Sequence, residues 1–135
     1  MFSTSPYLFN GYWKRPDETK EALVDGWLTV GDMARQDEDG YLYIVDRKKD
    51  MIKTSGFQVW PREIEEVLAS HPAVMEVGVA GIPDSHKGEA PKGWIVLKEG
   101  CTVTESQLRD FCRERLSAYK IPIAIEFRST LPKTL

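Results

Sequence analysis

The stretch PREIEEVLASHPAVMEVGVAGIPD, residues 61–84, decides the fold because it joins a helix signal directly to a strand signal. Pro61 suits the first turn of a helix, where its missing N–H is not needed and its φ is already helical. The apolar positions then recur at the spacing of one helical face: Ile64, Val67 and Leu68. His71-Pro72 ends this helix. Residues 74 to about 81 are apolar and partly β-branched, which predicts a strand.

The chain after this stretch extends the same pattern. KGWIVLKEG, residues 92–100, predicts a strand buried on both faces. TESQLRDFCRERL, residues 104–116, predicts a second helix that begins with a capping box. IAIEF, residues 123–127, alternates as a last strand. The order helix, strand, strand, helix, strand predicts an α+β domain in which a small three-stranded sheet packs with two main helices.

A β-hairpin precedes this domain. Asp39-Gly40 lies between two strand-like runs, and glycine supplies the positive φ that tight hairpin turns need. With Asp39 and Gly40 as the central pair, Asp32 faces Arg47 at the open end of the ribbon. A longer turn would shift the register by about two residues and still leave these side chains close.

The first thirty residues show no clear hydrophobic period. DETKEAL, residues 17–23, predicts a short helix with Asp17 as its cap. We see no self-contained core here, so the segment is expected to lie against another surface. In the isolated chain we expect it to be disordered or packed against a second copy, giving self-association through residues 1–30.

Composition excludes several classes of function. The 135 residues carry a formal net charge of −3, which gives no reason to expect nucleic-acid binding. No apolar run approaches the roughly 18 residues that cross a bilayer. The first residues lack a secretory leader, so we expect a cytoplasmic protein. Cys101 and Cys112 are expected to be free, buried thiols, and the two histidines have no partner at metal-ligand spacing.

The densest polar cluster is VDRKKDMIKTSG, residues 45–56. One interpretation is a solvated charged loop between the hairpin and the helix. The other is a phosphate or carboxylate site, in which Arg47 offers a planar fork, Lys53 a point charge, and Gly56 close access to the backbone. Asp32 has the same ambiguity. It could accept hydrogen bonds from vicinal ribose hydroxyls, or form a cross-strand ion pair with Arg47.

Three segments resemble the C-terminal part of AMP-forming acyl-CoA synthetases, with long-chain fatty-acid–CoA ligases as the nearest subgroup. They are GYWKRPDETKEAL, DGWLTVGDMARQDEDGYLYIVDRKKDMIKTSGFQVWPREIEEVL and LSAYKIP followed by EFRSTLPKT. The resemblance covers the chain from about Gly11 to Leu135. It implies that residues 1–47 are the tail of a large N-terminal adenylation domain, and that residues 48–135 belong to a mobile C-terminal lid domain.

The activity implied by the resemblance has two steps. An acid and Mg-ATP give an acyl-adenylate and pyrophosphate, and CoA then gives the acyl-CoA and AMP. ATP, Mg²⁺ and CoA would serve the full-length enzyme, and none is expected on this chain alone. The implied partners are the large N-terminal domain and the small substrates. Because some fatty-acid ligases work at membranes, the resemblance also leaves a peripheral membrane location open.

The resemblance also assigns residues. Asp32, Ile44 and Arg47 match nucleotide-binding positions, and Lys49 matches the hinge between the two domains. Lys53, Gly56 and Trp60 lie on the loop that enters the site during thioester formation, with Gly56 leaving room for the pantetheine arm of CoA. Tyr119-Lys120-Ile121-Pro122 matches a structural signature before the last strand.

Lys133 belongs to a PKT element that precedes the family's adenylation lysine. The resemblance places that lysine a few residues further on, beyond Leu135, so Lys133 is not expected to be the catalyst. We therefore expect this chain alone to be inactive. Two alternatives stay open at this point: an aryl-acid ligase, luciferase or peptide-synthetase adenylation enzyme with the same lid, and a small α+β binding module without chemistry.

Overall fold

A computed structural model of the chain describes residues 2–3 and 7–133. The chain divides into two compact units, a first unit of Met1–Lys49 and a second unit of Asp50–Leu135. The sequence placed this boundary after residue 47, and the assignment of the first part to a larger domain stays a prediction.

The first unit contains a small sheet, one helix and a two-stranded ribbon. The sheet has the order β1-β3-β2, and all its pairs are antiparallel. The elements are β1 (Phe2–Ser3), α1 (Pro16–Ala22), β2 (Leu23–Val24), β3 (Trp27–Thr29), β4 (Asp32–Gln36) and β5 (Leu42–Arg47). The structure places short elements of secondary structure within residues 7–30, and the expected disorder or packing against a second copy in the isolated chain stays a prediction.

Helix α1 begins two residues earlier than a cap at Asp17 predicts. Pro16 occupies its first turn and Arg15 is the N-cap, without a side-chain capping bond. Asp17 is therefore not the cap. It lies with Glu18 in the first turn, where a carboxylate is favoured by the positive end of the helix dipole.

The ribbon of β4 and β5 confirms the predicted pairing of Asp32 with Arg47. Its turn differs from the prediction. The N–H of Asp37 donates to the carbonyl of Tyr41 at 3.1 Å, so the loop has three residues and Gly40 takes its positive φ of 89°. A bulge between Met33 and Ala34 shifts the register by one residue. This shift compensates for the longer turn and restores the pair at the open end.

The second unit is an α+β domain, as predicted, but its sheet has five strands instead of three. The strand order is β10-β9-β6-β7, with β8 on the other side of β9. Its elements are β6 (Ile52–Thr54), β7 (Phe57–Val59), α2 (Pro61–Ala69), β8 (Val74–Asp84), β9 (Gly88–Leu97), α3 (Glu105–Arg113) and β10 (Ala124–Phe127). The sequence analysis missed β6 and β7, ended β8 too early, placed both ends of β9 too far along the chain and made α3 too long.

Both long helices contribute to one buried cluster. Its members are Ile52, Val59, Ile64, Leu68, Val74, Val79, Ile95, Leu108, Cys112 and Ile125. The predicted stripe of α2 accounts for Ile64 and Leu68, and the missed strands contribute Ile52 and Val59. Cys112 lies in this core, whereas Cys101 is exposed, so the prediction that both thiols are buried is wrong for Cys101.

Candidate functional site

The first unit contains an open pocket of about 680 Å³ at the end of the β4–β5 ribbon. Asp32 and Arg47 line it from facing strands, and two lysines extend its basic side. The complete lining is Thr29, Val30, Gly31, Asp32, Arg47, Lys48 and Lys49. The structure therefore brings together two of the three residues predicted to bind a nucleotide.

Backbone hydrogen bonds fix the geometry of this pocket. The N–H of Lys48 donates to the carbonyl of Gly31 at 2.8 Å, one step beyond the Asp32–Arg47 pair. Gly31 has a φ of 72°, a conformation that glycine adopts without a steric penalty. The N–H of Arg47 donates to the Asp46 carboxylate at 2.8 Å. The bond between Lys48 and Gly31 joins the two ribbon ends, so Asp32 and Arg47 stay opposite each other.

The chemistry of the pocket suits an anion that also carries hydroxyl groups. A carboxylate accepts hydrogen bonds from vicinal hydroxyls, whereas a guanidinium fork and two ammonium groups attract phosphate oxygens. Lys49, the predicted hinge residue, lies in this lining and in a 3₁₀ turn of Lys48–Asp50 at the boundary of the two units.

Ile44 is the predicted nucleotide-binding residue that the pocket does not include. It lies on β5 opposite Ala34, with 56% of its surface exposed. An apolar side chain with this exposed fraction is available to contact another molecule. Its predicted contact with a nucleotide stays a prediction.

The second candidate site is the turn between β6 and β7, in the second unit. Ser55 and Gly56 are its central residues, with φ angles of 49° and 84°. This is the pattern of a type I′ turn. A non-glycine residue in the left-handed region costs roughly 1–2 kcal/mol, so neighbouring contacts must stabilise Ser55 in this conformation.

The predicted thioester-face residues surround this turn. Lys53 is exposed on β6, next to buried Thr54. A side chain placed on Gly56 would meet no atom within 4 Å, so the turn is open on that side. Trp60 is half-buried at the start of α2, where its carbonyl accepts a hydrogen bond from the N–H of Glu63.

Contacts that the sequence analysis missed hold this turn from outside. The N–H of Lys53 donates to the Glu89 carboxylate at 2.9 Å, and the N–H of Ser55 donates to the carbonyl of Lys87 at 2.9 Å. The ring of Phe57 stacks on Tyr119, with centroids 4.4 Å apart. No sequence signal pointed to Glu89, because an exposed glutamate 36 positions away has no periodic relation to Lys53.

The segment Tyr119-Lys120-Ile121-Pro122, which the resemblance marks as a structural signature, packs into the second unit. The Nζ of Lys120 lies 2.6 and 2.7 Å from the two carboxylate oxygens of Glu63 on α2. Only 18% of the Lys120 side chain is exposed, so this pair is better shielded than an ordinary surface ion pair. Pro122 is among the fully buried side chains.

Lys133 lies on the surface with 73% of its side chain exposed, and its Nζ contacts a Glu76 carboxylate oxygen at 2.8 Å. This contact is an ordinary surface ion pair.

Two titratable groups of the second unit have shifted pKa values. Hydrogen bonds from Lys92 and Arg128, each 2.7 Å long, lower the pKa of Glu126 from 4.5 to about 2. Burial raises the pKa of the Cys112 thiol from 9.0 to about 11, so this thiol is poorly reactive near neutral pH.

Within the described ranges, no helix has the length and apolar character to cross a membrane. Among those same residues, no group of three or more His, Cys, Asp and Glu side chains is arranged to hold a metal ion.

Comparisons with known proteins agree with this fold. A family model described as the AMP-binding enzyme C-terminal domain matches residues 63–135. The chain belongs to this family, within the adenylate-forming enzymes.

Similar proteins extend the match towards the start of the chain. A long-chain-fatty-acid–CoA ligase of Bacillus subtilis is 50% identical over 129 residues, which are 96% of this chain and 23% of that protein. A 2-succinylbenzoate–CoA ligase of Geobacillus kaustophilus is 45% identical over 128 residues, 95% of this chain and 26% of that protein. The chain thus spans about a quarter of the length of these relatives.

Among solved structures, ATP-bound MatB from Rhodopseudomonas palustris matches with a TM-score of 0.92 and 36% identity. The match covers 97% of this chain and 26% of that one. The fold is therefore that of the C-terminal part of adenylate-forming enzymes.

Proposed function

We propose that this chain is the C-terminal part of an AMP-forming acid–CoA ligase. The full-length enzyme converts a carboxylic acid and Mg-ATP to an acyl-adenylate and pyrophosphate. It then transfers the acyl group to the thiol of CoA and releases AMP. The observation that carries the proposal is the pocket that brings Asp32 opposite Arg47 in a chain 50% identical to a fatty-acid ligase.

The nucleotide role follows from the charges of that pocket. Asp32 accepts hydrogen bonds from the two ribose hydroxyls, and Arg47 donates to the ribose or to phosphate oxygens from the facing strand. Lys48 and Lys49 add positive charge at the same rim. Ile44 covers part of the nucleotide from the same ribbon.

The thioester role belongs to the β6–β7 turn. Lys53 supplies a positive charge, and the open side of Gly56 admits the pantetheine arm of CoA alongside Trp60. Lys49 acts as the hinge that lets the second unit present this turn after the adenylate has formed. The adenylation lysine is supplied by sequence beyond Leu135.

Lys53→Ala in the full-length enzyme tests the assignment of this turn. We expect thioester formation from preformed adenylate to slow by at least about tenfold, with adenylation changed less than about twofold, since one preorganised charge is lost at one step. Lys133→Ala is the matched control, because Lys133 is also an exposed lysine with a surface partner. It should change neither step. Equal losses in both steps for Lys53→Ala would contradict the assignment.

The acid is proposed to be a fatty acid, because fatty-acid ligases match at 50% identity or more. An aromatic acid is the second candidate, because the 2-succinylbenzoate ligase matches at 45%. Pyrophosphate exchange by the full-length enzyme over saturated fatty acids, benzoates and amino acids distinguishes them. Exchange dependent only on aromatic acids or amino acids would overturn the fatty-acid proposal.

A small binding module without chemistry is the remaining alternative. We expect the 135-residue chain to give no pyrophosphate exchange, and calorimetric titration with ATP, AMP and CoA to show only weak binding. Tight binding of one of them, together with an inactive full-length protein, would favour the module. We also propose that the enzyme is cytoplasmic. Cell fractionation tests this, since an enzyme peripheral to a membrane would sediment with the membrane fraction.

A further inference from the structure

We propose that Glu89 and Tyr119 are positioning residues that hold the β6–β7 turn in the conformation needed for thioester formation. This inference rests on the proposed function, because it concerns the turn that presents Lys53 and Gly56. Neither residue is proposed to touch a substrate. Each contacts a residue that flanks the turn, and the two contacts come from different parts of the second unit.

The turn needs such support because the sheet provides little. A single register pair, Thr54 with Gly88, joins β6 to β9. At the same time Ser55 is held at a φ of 49°, which non-glycine residues rarely adopt. A turn with one sheet pair and a strained residue is expected to open unless other groups hold it.

Glu89 supplies the first contact. Its carboxylate accepts a hydrogen bond from the N–H of Lys53 at 2.9 Å, in place of a strand carbonyl. The neighbouring strand leaves space for this arrangement at Gly81. A side chain there would lie 3.2 Å from an Ile52 side-chain carbon and 3.5 Å from the Glu89 carboxylate. Gly81 therefore allows Ile52 and Glu89 to approach β8 closely.

The β8–β9 loop supplies a second hydrogen bond to the turn. The N–H of Ser55 donates to the carbonyl of Lys87 at 2.9 Å. That loop is itself organised by Asp84, whose carboxylate accepts from the N–H groups of His86 and Lys87 at 2.9 and 2.8 Å. Lys53 and Ser55 are thus both bonded to the β8–β9 hairpin.

Tyr119 supports the other arm of the turn. Its ring stacks on Phe57 at a centroid distance of 4.4 Å and an interplanar angle of 13°. Phe57 is 51% exposed, so little else surrounds its ring and the stack on Tyr119 holds it in place. Tyr119 is itself held in place, because the adjacent Lys120 contacts both carboxylate oxygens of Glu63 on α2. Rotation of the turn about β6 would break the stack.

The test uses four variants of the full-length enzyme: Glu89→Ala, Tyr119→Ala, and the conservative Glu89→Gln and Tyr119→Phe. An amide oxygen can still accept the Lys53 hydrogen bond, and a phenyl ring can still stack on Phe57. We expect each alanine variant to speed amide exchange at residues 53–57 and to slow thioester formation about tenfold. Adenylation should change less than about twofold. The conservative variants should restore exchange and rate to within about twofold of the parent.

Three outcomes would overturn the proposal: unchanged exchange at residues 53–57, faster exchange without a selective loss of thioester formation, or conservative variants as impaired as the alanine variants. Melting temperatures of all four variants identify loss through general unfolding, which would slow both steps equally and also contradict the proposal. The exchange measurement does not depend on the reaction. If Lys53→Ala fails to act selectively while exchange responds as expected, the proposed function fails and the structural support of the turn stands.

Discussion

The two units of this chain differ in how they are stabilised. The second unit has a core of ten buried side chains drawn from both long helices and all five strands of its sheet. In the first unit, no side chain among residues 7–49 is buried. Instead it exposes large apolar groups along the ribbon, including Tyr41, Leu42, Tyr43, Ile44 and Val45.

This difference shows which unit needs a partner. A unit of about fifty residues buries a small fraction of its surface on folding, and the first unit has no buried side chain among residues 7–49. A ribbon that exposes large apolar side chains on both faces is typical of a surface that packs against a partner. We propose that this partner is the large domain that the relatives' greater length implies. The pocket proposed to bind the nucleotide thus lies in a unit without buried side chains among residues 7–49, whereas the β6–β7 turn lies in a unit with its own core.

Core truncation gives the largest expected effect and a direct test of this contrast. Leu68→Ala in the 135-residue chain should destabilise the second unit by about 2–5 kcal/mol, because Leu68 is fully buried in the cluster. Ile44→Ala on the exposed ribbon should cost less than about 0.5 kcal/mol. Urea unfolding measures both. A loss above about 1 kcal/mol for Ile44→Ala would show that the ribbon is already packed against something.

Removal of the Asp32 carboxylate, which is proposed to bind the ribose hydroxyls, is expected to have the next largest effect. In the full-length enzyme, Asp32→Ala should weaken adenylation roughly 10- to 100-fold, equivalent to about 1.5–3 kcal/mol for hydrogen bonds to a charged group. Pyrophosphate exchange measures this loss. Glu38→Ala is the control, since it removes an exposed carboxylate from the loop at the far end of the same ribbon. Similar losses in both variants would contradict the assignment of Asp32 to the nucleotide site.

Helix capping sharpens the comparison at a smaller scale. Thr104 and Gln107 form a complete capping box at the start of α3, whereas α1 has no side-chain cap. Thr104→Ala should destabilise the second unit by about 1 kcal/mol. Thermal unfolding measures the loss, and exposed Ser106→Ala is the control inside the same helix. Arg15→Ala at the start of α1 should change little, and a loss equal to that of Thr104→Ala would contradict the contrast.

The smallest expected effect is a pH dependence in the second unit. Because Lys92 and Arg128 lower the folded-state pKa of Glu126, ionised Glu126 contributes stability above about pH 4.5. That contribution is lost as the pH falls towards 2. The stability difference between the parent and Glu126→Gln should therefore be constant near neutral pH and shrink below pH 4.5.

The double variant Lys92→Met, Arg128→Met serves as the control for this titration. It removes both donors to Glu126, so adding Glu126→Gln to it should produce no pH-dependent difference. A difference that persists in this background would assign the titration to other groups.

Much of the fold was predictable because local signals agreed with tertiary packing. Pro61 and the Ile64–Leu68 stripe predicted α2, and Thr104 with Gln107 predicted the start of α3. The Asp32–Arg47 pair was also predictable, although a bulge and a three-residue loop had to compensate for each other.

The β6–β7 hairpin could not be recognised, because its turn uses Ser55 at a positive φ, where sequence patterns expect asparagine, aspartate or glycine. Its strands are also only three residues long, too short to show a period. The supports of the turn were equally hidden. Glu89 and Tyr119 act through contacts that only the packed second unit creates.

Amide hydrogen exchange tests the contrast between the units most directly, when it is measured on the 135-residue chain and on the full-length enzyme. We predict that core amides of the second unit, such as those of β8 and β9, are protected in both proteins. Amides of β4 and β5 should exchange rapidly in the chain alone and become protected in the full-length enzyme. Equal protection of β4, β5, β8 and β9 in the chain alone would contradict the account.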